Sequence, residues 1–151
     1  MAGHDLTSWA AILCLRRVAA ADSSGRSGVA CGHRSRLVQL CVDVPAGHYD
    51  AELAFWRAAT GWADEPVSGP EFHRLVHRAQ SPVALLVQRL GEDDAATNAR
   101  AHLDLGTDDI AAEVARIQAL GAQVLWPGDG FIALRDPAGL PFCVTGNQPD
   151  R

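Results

Sequence analysis

The chain has 151 residues, of which 48% are hydrophobic and 21% charged, enough apolar surface to bury the core of one domain or of two small halves. Its formal net charge is −5 and it has no run of basic residues, which argues against nucleic acid as a partner. All thirteen basic residues are arginines, so lysine chemistry such as a Schiff base is excluded.

The sequence favours a cytoplasmic location and no membrane partner. No apolar run reaches the roughly 18 residues of a membrane helix. Residues 9–15 are apolar, but an acidic residue precedes them and two arginines follow, whereas a secretory signal carries its positive charge first. The four cysteines show no CxxC spacing, and we expect them to be reduced and mostly buried.

The chain divides into an N-terminal extension and one domain. Residues 1–36 include a Ser- and Gly-rich stretch, so we expect an appended or poorly ordered segment with little chemistry. Residues 37–151 are predicted to form a single domain made of two modules, at 37–91 and 100–145.

The first module is predicted to start with a strand that ends at Pro45, followed by a helix and three strands, two of which are placed by the sequence. Leu53 and Trp56 fall on one apolar face of the helix, and Gly61 is placed to end it in the left-handed conformation. The predicted elements are the strand at 37–44, the helix at 49–60, and the strands at 72–77 and 83–88.

The second module repeats this order, with the polar residue His102 inside its first strand. Thr107 or Asp109 can cap the start of its helix, and Gly121 is placed to end that helix as Gly61 ends the first. The predicted elements are the strand at 101–105, the helix at 110–120, and the strands at 123–126, 131–134 and 142–144.

The doubled pattern of strand, helix and three strands contains four stretches that occur in the same order in a known family of proteins. They are residues 54–62, 86–90, 101–105 and 134–144. With them the chain resembles the vicinal oxygen chelate superfamily, in its glyoxalase-like and bleomycin-resistance-like branch. The resemblance implies an α+β fold in which two βαβββ modules pair into a curved, eight-stranded mixed sheet around a cavity. It also implies a homodimer.

The resemblance places site residues on the first and last strands of each module, where metal-holding members use histidine, glutamine or glutamate. His102 matches the ligand on the first strand of the second module, and Cys143 matches the last. The counterpart of His102 in the first module is Leu37, Gln39 or Cys41, which share one face of the strand. The usual set with two histidines and carboxylates is absent, so we expect no full metal site.

His102 can be interpreted in three ways: as a metal ligand, as a catalytic or ligand-contacting residue, or as a structural histidine that is hydrogen-bonded to Asp104. Cys41, His102 and Cys143 would together form the mixed nitrogen and sulfur set that zinc accepts. Trp62 and Trp126 are candidates to stack a planar ligand. The predicted ligand-binding residues are Gln39, Cys41, Gln88, His102, Asp104, Trp126 and Cys143.

Three functions remain open from the sequence. The first is a protein that binds a small molecule in the sheet cavity without the full family metal site. The second is a metal-dependent lyase, isomerase or dioxygenase in which Gln39, Gln88 and His102 hold Zn, Ni, Fe or Mn. The third is a resistance protein that sequesters a drug without chemistry.

Overall fold

The computed structural model describes residues 32–147, so most of the predicted N-terminal extension lies outside the described residues. The strands are β1 Ser35–Val44, β2 Ala63–Glu65, β3 Phe72–Val76, β4 Ala84–Arg89, β5 Arg100–Thr107, β6 Gln123–Pro127, β7 Phe131–Arg135 and β8 Pro141–Thr145. The helices are α1 Tyr49–Thr60 and α2 Ile110–Ala119, and a short 3-10 turn, Ala46–His48, precedes α1.

The eight strands form one mixed sheet in the order β2-β3-β4-β1-β5-β8-β7-β6. Within each module the first strand runs parallel to the last, β1 beside β4 and β5 beside β8. At the centre β1 and β5 pair antiparallel and join the two modules. The predicted α+β fold of two βαβββ modules is therefore confirmed, with an open sheet rather than a closed barrel.

Helix α1 packs on the strands of the first module. Asp50 and Glu52 lie in its first turn, where the helix dipole favours negative charge. Gly61 ends the helix as predicted, with a φ of 64°. Its buried side chains join a hydrophobic cluster made of Val42, Val44, Tyr49, Leu53, Leu75, Leu85 and Val87.

Helix α2 packs on the strands of the second module. Asp109 is its cap: the side chain accepts a hydrogen bond of 2.9 Å from the backbone N–H of Ala112. The buried cluster beneath the helix comprises Ile117, Leu134 and Val144. With 12 and 10 residues, neither helix of the described part is long and apolar enough to cross a membrane.

Both helices lie on the same face of the sheet, and we call the opposite face the open face. Side chains alternate along a strand. Val42 and Val44 pack in the helix-covered core, so Cys41 and Asp43 point to the open face.

A β-bulge in β1 shows that the prediction of one shared face for Leu37, Gln39 and Cys41 was wrong. Leu37 pairs with Leu105, whereas Gln39 pairs with Asp104, and the register shifts between the two pairs. Leu105 and Asp104 are consecutive and point to opposite faces, so Leu37 and Gln39 do too. The extra residue of a bulge resets the alternation, and it removes Leu37 from the open face.

One strand and one strand boundary also differ from the sequence prediction. Ala63–Glu65 forms the edge strand β2 against β3, although its short, polar sequence has no period-two hydrophobic pattern. Strand β1 begins at Ser35, two residues before the predicted start, because its first residues pair with the end of β5.

Candidate functional site

Polar and sulfur-containing side chains meet at the centre of the open face, where β1, β5 and β8 lie side by side. Cys41 is directly opposite His102 across β1 and β5. Asp104 pairs with Gln39 on one side and Cys143 on the other. We call this group the central polar cluster; its members are Gln39, Cys41, Asp43, His102, Asp104 and Cys143.

The His102 ring is held by Asp43. Its Nδ1 donates a hydrogen bond of 2.8 Å to Oδ2 of Asp43, whose side chain is only 2% exposed. The other ring nitrogen, Nε2, lies 3.5 Å from Oδ1 of Asp104. A buried carboxylate on one ring nitrogen fixes the orientation of the imidazole and directs the other nitrogen.

Only one of the two carboxylate oxygens of Asp104 accepts hydrogen bonds from the cluster. Oδ2 accepts hydrogen bonds from Nε2 of Gln39 at 2.5 Å and from Sγ of Cys41 at 3.3 Å. Oδ1 is buried and makes no hydrogen bond within the described part of the chain. A buried acceptor without a hydrogen bond is rare and points to a ligand, water or ion.

The protonation of His102 follows from these neighbours. Burial alone would lower the pKa of His102, but hydrogen bonds with Asp43, Cys143 and Cys41 outweigh burial and raise that pKa well above its ordinary value. The ring is therefore an imidazolium at neutral pH. It can donate hydrogen bonds and supply positive charge, but it cannot act as a base in that state.

The two cysteines of the cluster are neutral thiols. Burial raises the pKa of Cys41 to about 12, and burial also raises the pKa of Cys143. The thiolate is the nucleophilic form of cysteine. Neither side chain is thus activated for attack at neutral pH.

The remaining predicted site residues lie at different distances from the cluster. Gln88 is opposite Asp43 across β1 and β4, on the same face. Trp126 is on the edge strand β6, in the cross-strand row that continues through β7 to Cys143. Trp62 was expected to line the pocket, but it packs against the helix-covered core of the first module.

Sequence reasoning missed Asp43. The residue follows Cys41 by two positions, so strict alternation would have placed it on the same face. An aspartate among the apolar residues that end β1 was the available signal.

A cleft of about 580 Å³ lies over the open face of the first module and includes Gln39, through which it meets the central polar cluster. Its size falls in the range of roughly 300–1,000 Å³ that is typical of small-molecule pockets. Along the strands the cleft is lined by Arg36, Val38, Gln39, Arg74, Val76 and Ala84.

The side chains of the cluster match the ligands of a zinc-type ion better than they match the two-histidine ligand set that the resemblance implies. Ligand atoms of Cys41, His102 and Asp104 lie within 4.8 Å of one another. Tetrahedral zinc at about 2.0–2.3 Å from each ligand separates the ligand atoms by roughly 3.3–3.8 Å. The 3.5 Å between His102 and Asp104 matches that spacing. The ligand set implied by the resemblance also needs a second histidine and a glutamate, and the cluster contains neither.

Comparisons with known proteins agree with this fold. Residues 39–145 match the family model of the glyoxalase-like domain. Methylmalonyl-CoA epimerase from Mycobacterium tuberculosis is 12% identical, with a TM-score of 0.51 over 76% of this chain and 88% of that chain. A hypothetical protein from Bacillus halodurans C-125 is 11% identical, with a TM-score of 0.51 over 74% and 93%.

Identities this low show a shared fold alone, and no curated protein gave a significant match. The family model spans both modules, from β1 to the end of β8. The chain therefore belongs to the glyoxalase-like domain family of the vicinal oxygen chelate superfamily.

Proposed function

We propose that the protein binds a small organic molecule on the open face, in the cleft that meets the central polar cluster at Gln39. The observation that carries this proposal is the pair of half-buried His102 and buried Asp43 beside a cleft of ligand size. Buried charges are expensive to keep in a protein interior. A charged donor held rigidly beside a cleft is suited to recognising an acceptor on a ligand.

The protonation states favour binding over covalent chemistry. His102 is a charged donor, and Cys41 and Cys143 are neutral thiols. The cluster can therefore hold and orient a polar group without a nucleophile poised to attack it. The His102 side chain is 14% exposed, which leaves its ring edge within reach of a ligand.

A thermal-shift screen of metabolites against the wild-type protein tests this proposal. The variant His102→Asn places an amide nitrogen near the position of Nδ1 but removes the charge and Nε2. Because hydrogen bonds to charged groups contribute about 1.5–3 kcal/mol, a true ligand should lose about tenfold or more in affinity. His48→Asn, at an exposed residue of the 3-10 turn, is the matched control and should bind as wild type.

A ligand whose affinity is unchanged by His102→Asn would contradict the assignment of the site. Drug sequestration, the third function left open by the sequence, would use the same site. It predicts tight binding of the drug with no consumption, which mass spectrometry of the recovered drug measures.

The second candidate function is a metal-dependent lyase, isomerase or dioxygenase. The observation that favours it is Oδ1 of Asp104, which is buried and accepts no hydrogen bond within the described residues. Cys41, His102 and Asp104 would hold the ion, with Asp43 fixing the ring of His102 from its other nitrogen. A bound zinc-type ion supplies Lewis acidity that polarises a carbonyl oxygen.

Metal analysis of protein purified without a chelator separates the two candidates. The metal-dependent function predicts stoichiometric zinc, nickel, iron or manganese that is lost in Cys41→Ser and His102→Asn. Metal uptake should weaken as the pH falls, because His102 must release a proton to bind the ion. Substoichiometric metal that is equal in all variants would rule this candidate out.

We further propose that the protein is a cytoplasmic homodimer. Leu37 and Leu40, in the central strand on the helix side, are 37% and 36% exposed in the single chain, which supports a partner surface.

A further inference from the structure

We infer that the molecule bound in this cleft carries a hydrogen-bond donor, such as the N–H of an amide or the O–H of an alcohol, and that the amide oxygen of Gln39 accepts from it. The inference rests on the proposed function, because it names the chemical class of the ligand held in the same cleft. It makes Gln39 the residue that distinguishes ligands with such a donor from ligands without one.

The orientation of the Gln39 amide follows from its partner. Its Nε2 donates a hydrogen bond of 2.5 Å to Oδ2 of Asp104. A carboxylate oxygen accepts hydrogen bonds, so the amide turns its N–H side towards Asp104 and cannot present its oxygen there. The partner on β5 therefore decides which end of the amide group is the nitrogen.

The position of Asp104 also sets the direction of the amide oxygen. Gln39 lies on β1, with Asp104 opposite on β5 and Ala84 opposite on β4. Nε2 points towards β5, and Oε1 is on the other side of the amide group. Oε1 is thus directed towards β4, which is the side on which Gln39 lines the cleft.

Ala84 leaves space in front of this oxygen. It is the neighbour of Gln39 across β1 and β4, and both residues line the cleft. A methyl side chain is too short to fill the space beside the amide. Val38 and Val76 add apolar walls to the same cleft. Apolar walls with a few fixed polar groups are the usual means by which a small-molecule site orients its ligand.

Glu65 is the other acceptor of donors that the lining could offer. Its carboxylate forms ion pairs with Arg74 and Arg78, which line the cleft as well. These two arginines already engage the Glu65 carboxylate. A ligand donor is therefore best accommodated at the Gln39 amide.

Burial makes the Gln39 oxygen selective. Gln39 is only 4% exposed. A ligand that covers the amide oxygen without donating to it leaves a buried acceptor without a partner, which costs free energy. A ligand with an N–H or O–H group avoids that cost. We therefore expect the cleft to reject molecules of suitable size that lack a donor.

Matched pairs of small molecules, titrated into the protein and followed by protein NMR, test the inference. The pairs are benzyl alcohol with benzyl methyl ether, and benzamide with N,N-dimethylbenzamide. Wild type should bind the donor member of each pair about three- to tenfold more tightly. Gln39→Met keeps a similar length but removes the acceptor, so it should bind both members equally. Gln118→Met, at an exposed position of α2, is the matched control and should discriminate as wild type does.

A second variant provides the test if Gln39→Met does not fold, which the spectra of the free variants show directly. Ala84→Leu leaves the hydrogen bond between Gln39 and Asp104 in place but fills the space in front of the amide oxygen. It should lose the preference for the donor member of each pair.

Equal binding of both members of each pair to wild type would overturn the inference. So would a preference that persists unchanged in Gln39→Met or in Ala84→Leu. Absence of saturable shifts at the cleft residues with all four compounds would overturn it as well.

This inference and the proposed function fail in different ways. A ligand that needs His102 but whose affinity does not depend on a donor or on Gln39 would overturn the inference and leave the proposed function standing. A donor preference that depends on Gln39, with affinity unchanged by His102→Asn, would support the inference and overturn the role of His102 in the proposed function.

Discussion

Asp43 is the residue on which the orientation of His102 depends. It is buried, and its carboxylate receives the Nδ1 hydrogen bond. Asp43→Asn keeps an acceptor oxygen but removes the charge that stabilises the imidazolium. We expect urea unfolding to show a loss of about 1–3 kcal/mol, and no change beyond about 0.5 kcal/mol for Asp93→Asn, at an exposed residue of the turn after β4. Equal stability of the two variants would contradict the role given to Asp43.

Glu113 is a second buried charge, remote from the proposed site. Its carboxylate accepts hydrogen bonds from Nε2 of His33 at 2.6 Å and from Oγ of Ser35 at 2.8 Å. It also forms two bonds of 2.7 Å with Arg116. The bond with Arg116, followed by those with His33 and Ser35, lowers the pKa of Glu113 to about 2 against the opposing effect of burial. This carboxylate ties the start of β1 to α2.

The lowered pKa of Glu113 predicts a defined pH dependence. A depressed folded-state pKa stabilises the protein above the ordinary value near 4.5, and the stabilisation is lost as the pH falls from there towards about 2. Unfolding followed across this window should show that loss in wild type and in the control Glu92→Gln, whose carboxylate is 80% exposed. Glu113→Gln should show a shallower pH dependence; the same slope in all three proteins would count against this network.

At the residue scale, the sequence identified His102, Gln39, Cys41, Asp104 and Cys143, all of which the fold brings together. Their alternation along the strands made this predictable. Asp43 and Glu113 were missed as polar centres, since their histidine partners, His102 and His33, lie 59 and 80 residues away along the chain.

At the scale of the elements, the pairing of β1 with β5 depends on Gly106. A Cβ at this position would lie 2.5 Å from the backbone oxygen of Asn147 and 2.6 Å from Cγ1 of Val38, the bulge residue. We expect Gly106→Ala to lower the free energy of unfolding by about 1–3 kcal/mol, because the backbone must shift. Gly47→Ala, with nothing within 4 Å, is the control. Calorimetry that finds both variants as stable as wild type would show that the contact is not close.

Helices were more predictable than strands in this chain. Both helices have an apolar face and recognisable ends at Gly61 and Asp109. The strand Ala63–Glu65 has no such pattern, because it is held by backbone pairing at the edge of the sheet. The bulge between Leu37 and Gln39 is likewise set by its pairing with β5, which the sequence of β1 alone does not reveal.

At the scale of the whole molecule, the two-module order made the fold predictable, and it leaves apolar side chains on the helix side of the central strand. Light scattering at micromolar concentration should give twice the 16.0 kDa mass of one chain. A mass of one chain throughout a concentration series would contradict the proposed homodimer.

The cleft was not predictable from the sequence. Its lining residues on β1, β3 and β4 come together because β1 and β3 both flank β4. The resemblance to a family indicated where on the sheet to look, but the lining of the cleft follows from this chain's own side chains.

The most direct test of the binding site is protein-observed NMR with a library of small organic fragments that includes carboxylates and phosphates. We expect bound fragments to shift the resonances of His102 and its neighbours on β1 and β5. Fragments that bind only on the helix-covered face, leaving His102 and Gln39 unshifted, would contradict this expectation.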